Sequence, residues 1–588
     1  MYYKRIYLCV GLIKKKDMQS NNFLSIRDLF LCALTLIVLL GPNSFSQVFS
    51  SFDELSNSES FMSGQSNFNP RNDSSILINS NSSSTTVLRA SETGMEPENI
   101  DNWIFVNHDS FGTRNSNQTE IGKSNIDNLE LKWRLNNTYE IQEPPIIIGN
   151  MGYFQDYIGN IVSFDTLNGN INWKLETKGG PTMGLYYSEG LIYATVGTEA
   201  KIICINATNG NVIWESDRLG DTDLEYAINS PPLLWEDYVL AGSGGSGLPP
   251  GEGYVKGNIT ALNKTNGNII WNIDTTTGEW VEDKRNPPNG GATAWSGGSI
   301  DAETGTAFIP LGSASPNFNA SSRLTPNLYS NHMVAVDIQS GKIKWATPFI
   351  AHGTVLDVNV PDTHDWDTSW GSSVSNVKFD NGTVKKVVVG HDKAGNLIAM
   401  DALSGDEIWW TTLGKQIGTD KPPSPEGTGM IWSYGVYNYH AIDNDTLYIT
   451  ATNRGLNFFT DGISGHKEAP EDSIEQGLVN GTIYAIELKN GNIKWKLDTE
   501  YPPRVSPFVS NEIVYTGYIE FGNKERNGIV LALDKDTGQK LWEYNVNASI
   551  SPVGGSIGNG MLFIPTEKVN QKNDSEEIGG SIVAFGLK

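Results

Sequence analysis

One phrase recurs along this chain: a strand-like run, an acidic or Asn residue, a short spacer, a turn residue, Gly, three more residues and Trp. It reads NIVSFDTLNGNINW ending at Trp173, KIICINATNGNVIW at Trp214, NITALNKTNGNIIW at Trp271 and HMVAVDIQSGKIKW at Trp345. It continues as NLIAMDALSGDEIW at Trp409, TIYAIELKNGNIKW at Trp495 and IVLALDKDTGQKLW at Trp542. A period of roughly 40 residues or more marks an array of small sheets rather than one large core.

Within each copy, apolar and small residues alternate as in a half-buried strand. The Asp or Asn with Asn-Gly, Ser-Gly or Thr-Gly supplies a hairpin, and the Trp opens the next strand. An indole at the same register in every copy predicts packing against the neighbouring sheet, with the Trp residues spacing the blades. The last copy, GGSIVAFGLK, stops after its strand, while NLELKW near the start carries Trp133 with no strand before it. Pairing these two strands closes a ring without raw sheet edges. Trp133 and the seven Trp residues above then predict an all-β, eight-bladed β-propeller closed by its N- and C-terminal strands.

Composition agrees, with 61 Gly and a charged fraction of only 19%. The formal net charge of −25 disfavours nucleic acid and anionic membrane surfaces as partners. Residues 1–46 hold Arg27 and the apolar run LFLCALTLIVLLG before Ser44 and Ser46, which reads as a signal peptide or a retained membrane anchor. Residues 47–100 are Ser/Asn-rich and read as a disordered linker, and residues 101–588 as the propeller. An extracytoplasmic location follows, secreted or at the cell surface. Cys9 and Cys32 fall in the leader, leaving Cys204 alone on a blade strand as a buried free thiol. There is no CxxCH for covalent haem. Asn-x-Ser/Thr sequons, for example at Asn117, Asn206, Asn381 and Asn547, are compatible with glycosylation and also with chance in an Asn-rich chain.

The segments outside the repeats carry a resemblance. NWIFVNHDSFGTRNSNQTEIGKSNIDNLELKW, with Trp103, Asp109, Thr113, Arg114, Ser116, Ile121, Leu129 and Trp133, is similar to the opening of the quinoprotein alcohol dehydrogenases. These include methanol and polyvinyl-alcohol dehydrogenases. The resemblance covers roughly residues 100–588 together with the repeats. It implies an eight-bladed propeller holding pyrroloquinoline quinone (PQQ), and usually calcium, on its axis. There PQQ accepts a hydride from an alcohol. Fold alone does not fix that activity.

The same resemblance implies site residues. GGATAWSGGSIDAETGTAFIP places Trp295 where an indole stacks under the quinone, outside the register of the blade Trp residues. VVVGHDKAGNLIAMD places Lys393 as the cation at the quinone oxygens, a solvated turn lysine being the other reading, with His391 and Asp392 belonging either to the site or to an open loop. Trp432, in EGTGMIWSYGV, falls where a further Trp lines the ring or the channel mouth, and a blade-core position is the other reading. Glu252 matches the calcium carboxylate once the extra LPPG is accepted. Ser313, in LGSASPNFN, stands where an Asn amide is usual and is a weaker calcium ligand.

The largest departure lies at the base. The family reads roughly GDNLYSNS where this chain reads TPNLYSNH, so Pro326 takes the position of the catalytic Asp and cannot transfer a proton. The stretch DVNVPDTHDWDTSW offers Asp357, Asp362, His364, Asp365 and Asp367 as replacement base or metal ligands, a turn network or a solvated loop. Asp365 is the candidate substitute. Two functions remain open: an exported quinoprotein oxidising an alcohol and passing electrons to a separate acceptor, or a non-catalytic PQQ-repeat propeller acting as a binding or assembly scaffold at the cell surface.

Overall fold

The computed structural model describes residues 102–588 apart from 137–138, 178, 181–183, 223–225, 229, 246–256, 277–289, 313, 316–327, 350–367, 369, 394, 415–434, 454–455, 458–466, 469–479, 523–524 and 568–579. The leader and linker expectations, and those for Glu252, Ser313, Pro326, Asp365 and Trp432, therefore lie outside the described residues.

Alternating apolar runs broken by Asx-Gly turns form eight antiparallel four-stranded blades, with almost no helix. Blades 1 to 7 occupy residues 146–175, 185–215, 233–274, 299–348, 373–412, 441–499 and 505–545. Blade 8 joins Ser556–Gly558, Met561–Thr566 and Ser581–Leu587 to Leu129–Leu135 from the other end of the chain. The closing pair is antiparallel, with Leu129 opposite Leu587 and Leu135 opposite Ile582. The fold is an all-β, eight-bladed propeller.

The repeated turn is a left-handed Gly after an Asx-capped loop rather than a two-residue hairpin. In blade 1, Asp165 Oδ1 accepts from the N–H of Leu167 at 2.8 Å and of Asn168 at 3.3 Å, and Gly169 N–H donates to Asp165 O at 2.8 Å. A bulge follows at Asn172, since Phe164 pairs with Ile171 and Ser163 with Trp173. Gly169 has φ of +74°, and a Cβ there would lie 2.7 Å from Trp133 of blade 8. The Trp133 indole N–H donates to Thr166 O at 3.0 Å. The same seating recurs for Trp173 on Gly210, Trp214 on Gly267, Trp271 on Gly341, Trp345 on Gly405, Trp409 on Gly491 and Trp495 on Gly538. Each of these indoles also donates to a carbonyl of the next blade. Blade 8 ends before its turn, and Trp542 packs edge-on against Phe585 instead, at 5.5 Å between ring centroids. An eighth pair missed in the repeat pattern seats Trp235 on Gly305 in the DAETG turn of blade 4.

The innermost strands would leave their free edges unpaired around the axis. A belt formed by residues 103–116 covers most of them. Trp103 exchanges N–H···O bonds with Ile147 of blade 1, and Ile104 O accepts from Tyr187 of blade 2. Carbonyls of Ser110, Phe111, Thr113 and Arg114 then accept from Ile300, Val374, Ile442 and Val509 of blades 4 to 7 at 2.7–2.9 Å. Asn115–Ser116 finishes as a short parallel strand on blade 7. These bonds satisfy sheet edges that would otherwise need water.

Gly405→Ala would set a methyl 2.6 Å from the Trp345 ring at φ of +77°. The expected loss is about 2–4 kcal/mol, combining left-handed backbone strain with overpacking. Gly382→Ala, at φ of +84° but with no atom within 4 Å of the new Cβ, should lose only the backbone part. Urea unfolding midpoints of the two variants check this, and equal losses would show that the indole contact adds nothing.

Candidate functional site

Trp295 sits on a strap between blades 3 and 4. Gly242 and Gly257 let the strap lie directly on blade 3, because a Cβ at either would fall 2.2–2.3 Å from the carbonyl oxygens of Ala294 and Ala292. Thr275 Oγ1 donates to Ala292 O at 2.5 Å and Gly312 N–H to Thr293 O at 2.8 Å, so the strap backbone is pinned on both sides. The indole itself stays half-buried.

Lys393 comes to it from blade 5, with Nζ 5.2 Å from the Trp295 ring centroid. Its neighbour Asp392 is a turn residue: its carboxylate accepts from the N–H of Asn396 at 2.9 Å and from Asn396 Nδ2 at 2.7 Å. Asp156 and Asn160 of blade 1 make the same turn. His391 and Asp392 are both fully buried, so the open-loop reading of these two residues does not hold.

From Trp295 an aromatic wall runs inward. Trp370 meets Trp295 edge-on at 5.5 Å and Tyr439 at 5.4 Å. Arg114 Cζ lies 5.3 Å from the Tyr439 centroid and 5.8 Å from that of Trp103. Fully buried at φ of +50°, Arg114 spends its donors on backbone carbonyls of Pro507, Val106 and Val553, together with Asn107 Oδ1. Burial lowers its guanidinium to about 10, which still leaves a cation at neutral pH.

Beside that cation sits a carboxyl group without a hydrogen bond among the described residues. Glu143 is 2% exposed, and neither carboxyl oxygen has a partner among them; Tyr439 Oη and Asn438 Oδ1 are likewise buried and orphaned. Burial pushes the Glu143 carboxyl well above the usual carboxylate range, against the pull of Arg114. Burial also raises the Tyr439 phenol, with Glu143 adding to it. Orphaned buried polar atoms each cost about 1–3 kcal/mol, and such costs persist where a ligand supplies the missing partners.

The structure thus brings together Trp295 and Lys393 and adds Trp370, Tyr439, Arg114 and Glu143, for which sequence reasoning offers no site role. Glu143 carries a signal nonetheless: a lone carboxylate inside the apolar run IQEPPIII. Among the described residues, no group of three or more His, Cys, Asp or Glu is placed to hold a metal ion. Cys204 is a buried free thiol raised to about 11 by burial, so it is inert.

A raised Glu143 means that the folded state holds a proton which the unfolded chain releases above its ordinary carboxyl range. Stability therefore falls as pH rises from that range to the folded value. Glu143→Gln has no proton to lose, and the ligand-free variant should lose this part of the pH dependence and gain melting temperature relative to wild type as pH rises above the ordinary carboxyl range. Parallel pH–melting curves of variant and wild type read this directly.

Two known-protein profiles match the chain. That of the glucose/ethanol/alcohol dehydrogenase β-propeller domain covers residues 103–416, and that of the outer membrane protein assembly factor BamB covers 330–556. The quinoprotein alcohol dehydrogenase PedH of Pseudomonas putida is 25% identical over 60% of this chain and 65% of its own length, just under two thirds. The quinohemoprotein alcohol dehydrogenase of Comamonas testosteroni is 22% identical over 75% of this chain and 68% of its own. In three dimensions, the quinohemoprotein alcohol dehydrogenase ADHIIG of Pseudomonas putida superposes with a TM-score of 0.66 at 17% identity, covering 83% of this chain and 80% of that one. A europium-containing methanol dehydrogenase gives 0.64 at 18% identity, covering 83% and 98%. With its first profile spanning more than half of the 588 residues, on eight blades closed by the chain's two ends, the protein belongs to the PQQ-dependent alcohol dehydrogenase-like family of β-propellers.

Proposed function

We propose that the protein is an exported quinoprotein-type oxidoreductase that oxidises an alcohol with PQQ held at Trp295. The observation that carries this is the Lys393 ammonium lying over the half-buried Trp295 indole, which Trp370 links edge-on to the buried Tyr439. These residues fit a flat, anionic quinone: one aromatic face with a cation over it.

Bound PQQ would supply the two-electron acceptor, taking a hydride from the alcohol carbon. The chain's own residues do the rest. Trp295 offers a rigid π-face that orients a flat ring. Lys393 stabilises negative charge developing on a quinone oxygen, and the Arg114 charge deepens the same field in a site shielded from water. The wall of Trp370 and Tyr439 keeps water from the inner side.

Calcium held by Glu252 with Ser313 belongs to this proposal, as do Trp432 at the mouth and Asp365 as substitute base. A hydroxyl in place of an amide at Ser313 predicts weak calcium binding. The europium contained in one structural neighbour makes a trivalent lanthanide a worthwhile second metal to test. Export by the 1–46 leader, as signal peptide or membrane anchor, and a 47–100 linker complete the reading, with electrons passing to a separate acceptor.

The test is a titration of the propeller with PQQ, alone, with calcium and with a lanthanide, followed by quinone absorbance and thermal shift. Specific binding is expected, and Trp295→Ala should weaken it by about ten- to a hundredfold, the equivalent of about 1–3 kcal/mol of stacking. Absence of wild-type binding under every metal condition would move the protein to the non-catalytic scaffold reading and the search to a protein partner. Pro326→Asp should raise alcohol turnover with an artificial acceptor; unchanged turnover in a PQQ-loaded variant would show that position 326 does not limit the reaction.

A further inference from the structure

The belt skips blade 3. In blades 1, 2, 4, 5, 6 and 7 a residue of the innermost strand donates its N–H to a belt carbonyl: Ile147, Tyr187, Ile300, Val374, Ile442 and Val509. In blade 3 the matching residue is Leu234, one place before the Trp235–Tyr238 pair that closes the hairpin. Antiparallel neighbours alternate between bonded and non-bonded pairs, so the N–H and C=O of Leu234 point away from the second strand, toward the free edge. At the same place in blade 1, Ile147 exchanges both bonds with Trp103. After Ile104 on blade 2 the belt rejoins the sheets only at Ser110 on blade 4, and no described residue bonds the free edge at Leu234. Ile557 of blade 8 is bypassed as well, but it lies fully buried.

Leu234 instead lines a pocket of about 280 Å³ between blades 2 and 3. Ile104 and Tyr186 add apolar lining, and Glu189, Glu236 and Lys264 add charge. Lys264 Nζ donates to Ser188 Oγ at 3.1 Å and to Glu189 Oε2 at 3.3 Å. Glu236 is exposed and has no ion pair among the described residues. With two carboxylates against one ammonium, the rim is acidic, as is the whole chain at a formal net charge of −25.

The two glutamates stand where the backbone disfavours them. The turn after the innermost strand takes a left-handed residue, which is Gly149 in blade 1 and Asn444, Asn511 and Asn559 in blades 6 to 8. Gly and Asn are the residues for which that conformation is least costly. Blades 2 and 3 carry Glu189 at φ of +53° and Glu236 at +47° instead. These turns join first and second strands, whereas Lys393 lies in the turn between the second and third strands of blade 5, Val384–His391 and Asn396–Asp401. The two kinds of turn fall at opposite ends of an antiparallel blade, so the pocket is separate from the candidate site.

We propose that this pocket docks a partner protein, which lays an extended segment along the free edge at Leu234 and sets an arginine or lysine beside Glu236. An unpaired strand edge offers main-chain bonds to such a segment, and the adjoining pocket selects its side chain. The charge fixes the chemistry of the partner: an acidic rim on an acidic protein attracts a basic segment and repels an acidic one. The proposal is independent of the quinoprotein reading and holds whether or not PQQ binds at the other end of the blades.

The experiment titrates the full chain with the capped peptide acetyl-Thr-Val-Arg-Val-Thr-amide, reading affinity by calorimetry and backbone protection by hydrogen–deuterium exchange. In the free protein the Leu234 amide should exchange faster than those of Ile147 and Ile300, and saturating peptide should slow it. Replacing the peptide's arginine with glutamate should weaken binding by about tenfold or more. N-methylation of its three central amides, which removes the strand donors, should do the same. Glu236→Gln should weaken the arginine peptide by about two- to fivefold, the range of an exposed ion pair, and leave the glutamate peptide no weaker. No saturable binding at millimolar peptide, equal binding of the arginine and glutamate forms, full binding of the N-methylated form, or unchanged exchange at Leu234 would each overturn the proposal. Should Glu236→Gln fail to fold, the three peptides against the wild-type chain decide.

Discussion

An indole resting on a glycine of the next blade is the contact on which the ring depends. Successive blades share no strand, and a single blade is small enough to bury too little apolar surface on its own. Each Trp side chain bridges that gap twice, by laying its face on a left-handed Gly and by donating its N–H to a carbonyl of the same turn. Glycine meets two demands at once there, since positive φ disfavours a Cβ and the ring occupies the space one would need. Where the chain ends before the turn, at blade 8, Trp542 packs edge-on against Phe585 instead.

The belt completes what the indoles begin. By hydrogen-bonding the inner edges of most blades, residues 103–116 settle the backbone around the axis and carry Arg114 into the interior. With Arg114 committed to carbonyls, Glu143 and Tyr439 are left polar, buried and without partners. A core selected only for stability would not retain them, because apolar residues of similar shape would avoid the desolvation cost. His391 and His440 are buried as well, with Nε2 of the first 3.1 Å from Nδ1 of the second.

Much of the fold could be read from the chain because it rests on local, repeated constraints. The turn Gly, the Asx before it and the Trp after it lie within one copy, so their spacing alone announces blades, and the unmatched ends at NLELKW and GGSIVAFGLK announce closure. Trp235 and Gly305 escaped because they pair outside the main phrase. Trp295 and Lys393 were legible only through resemblance, as nothing local ties a strap after blade 3 to a turn in blade 5. Glu143 and His440 were harder still. A lone carboxylate or imidazole in an apolar run has no period, and its importance appears only when its surroundings leave it unsatisfied.

The sequence by itself determined the all-β class, the eight blades, the closing strand and the acidic net charge. It did so because hairpin chemistry and strand alternation act over a few residues. Only the tertiary structure decided which polar groups meet: Lys393 over Trp295, Arg114 bound to carbonyls beside a buried Glu143, and His391 against His440. Those meetings depend on ring closure, which brings residues from distant blades within hydrogen-bonding distance, and on burial, which determines the charge each of them keeps.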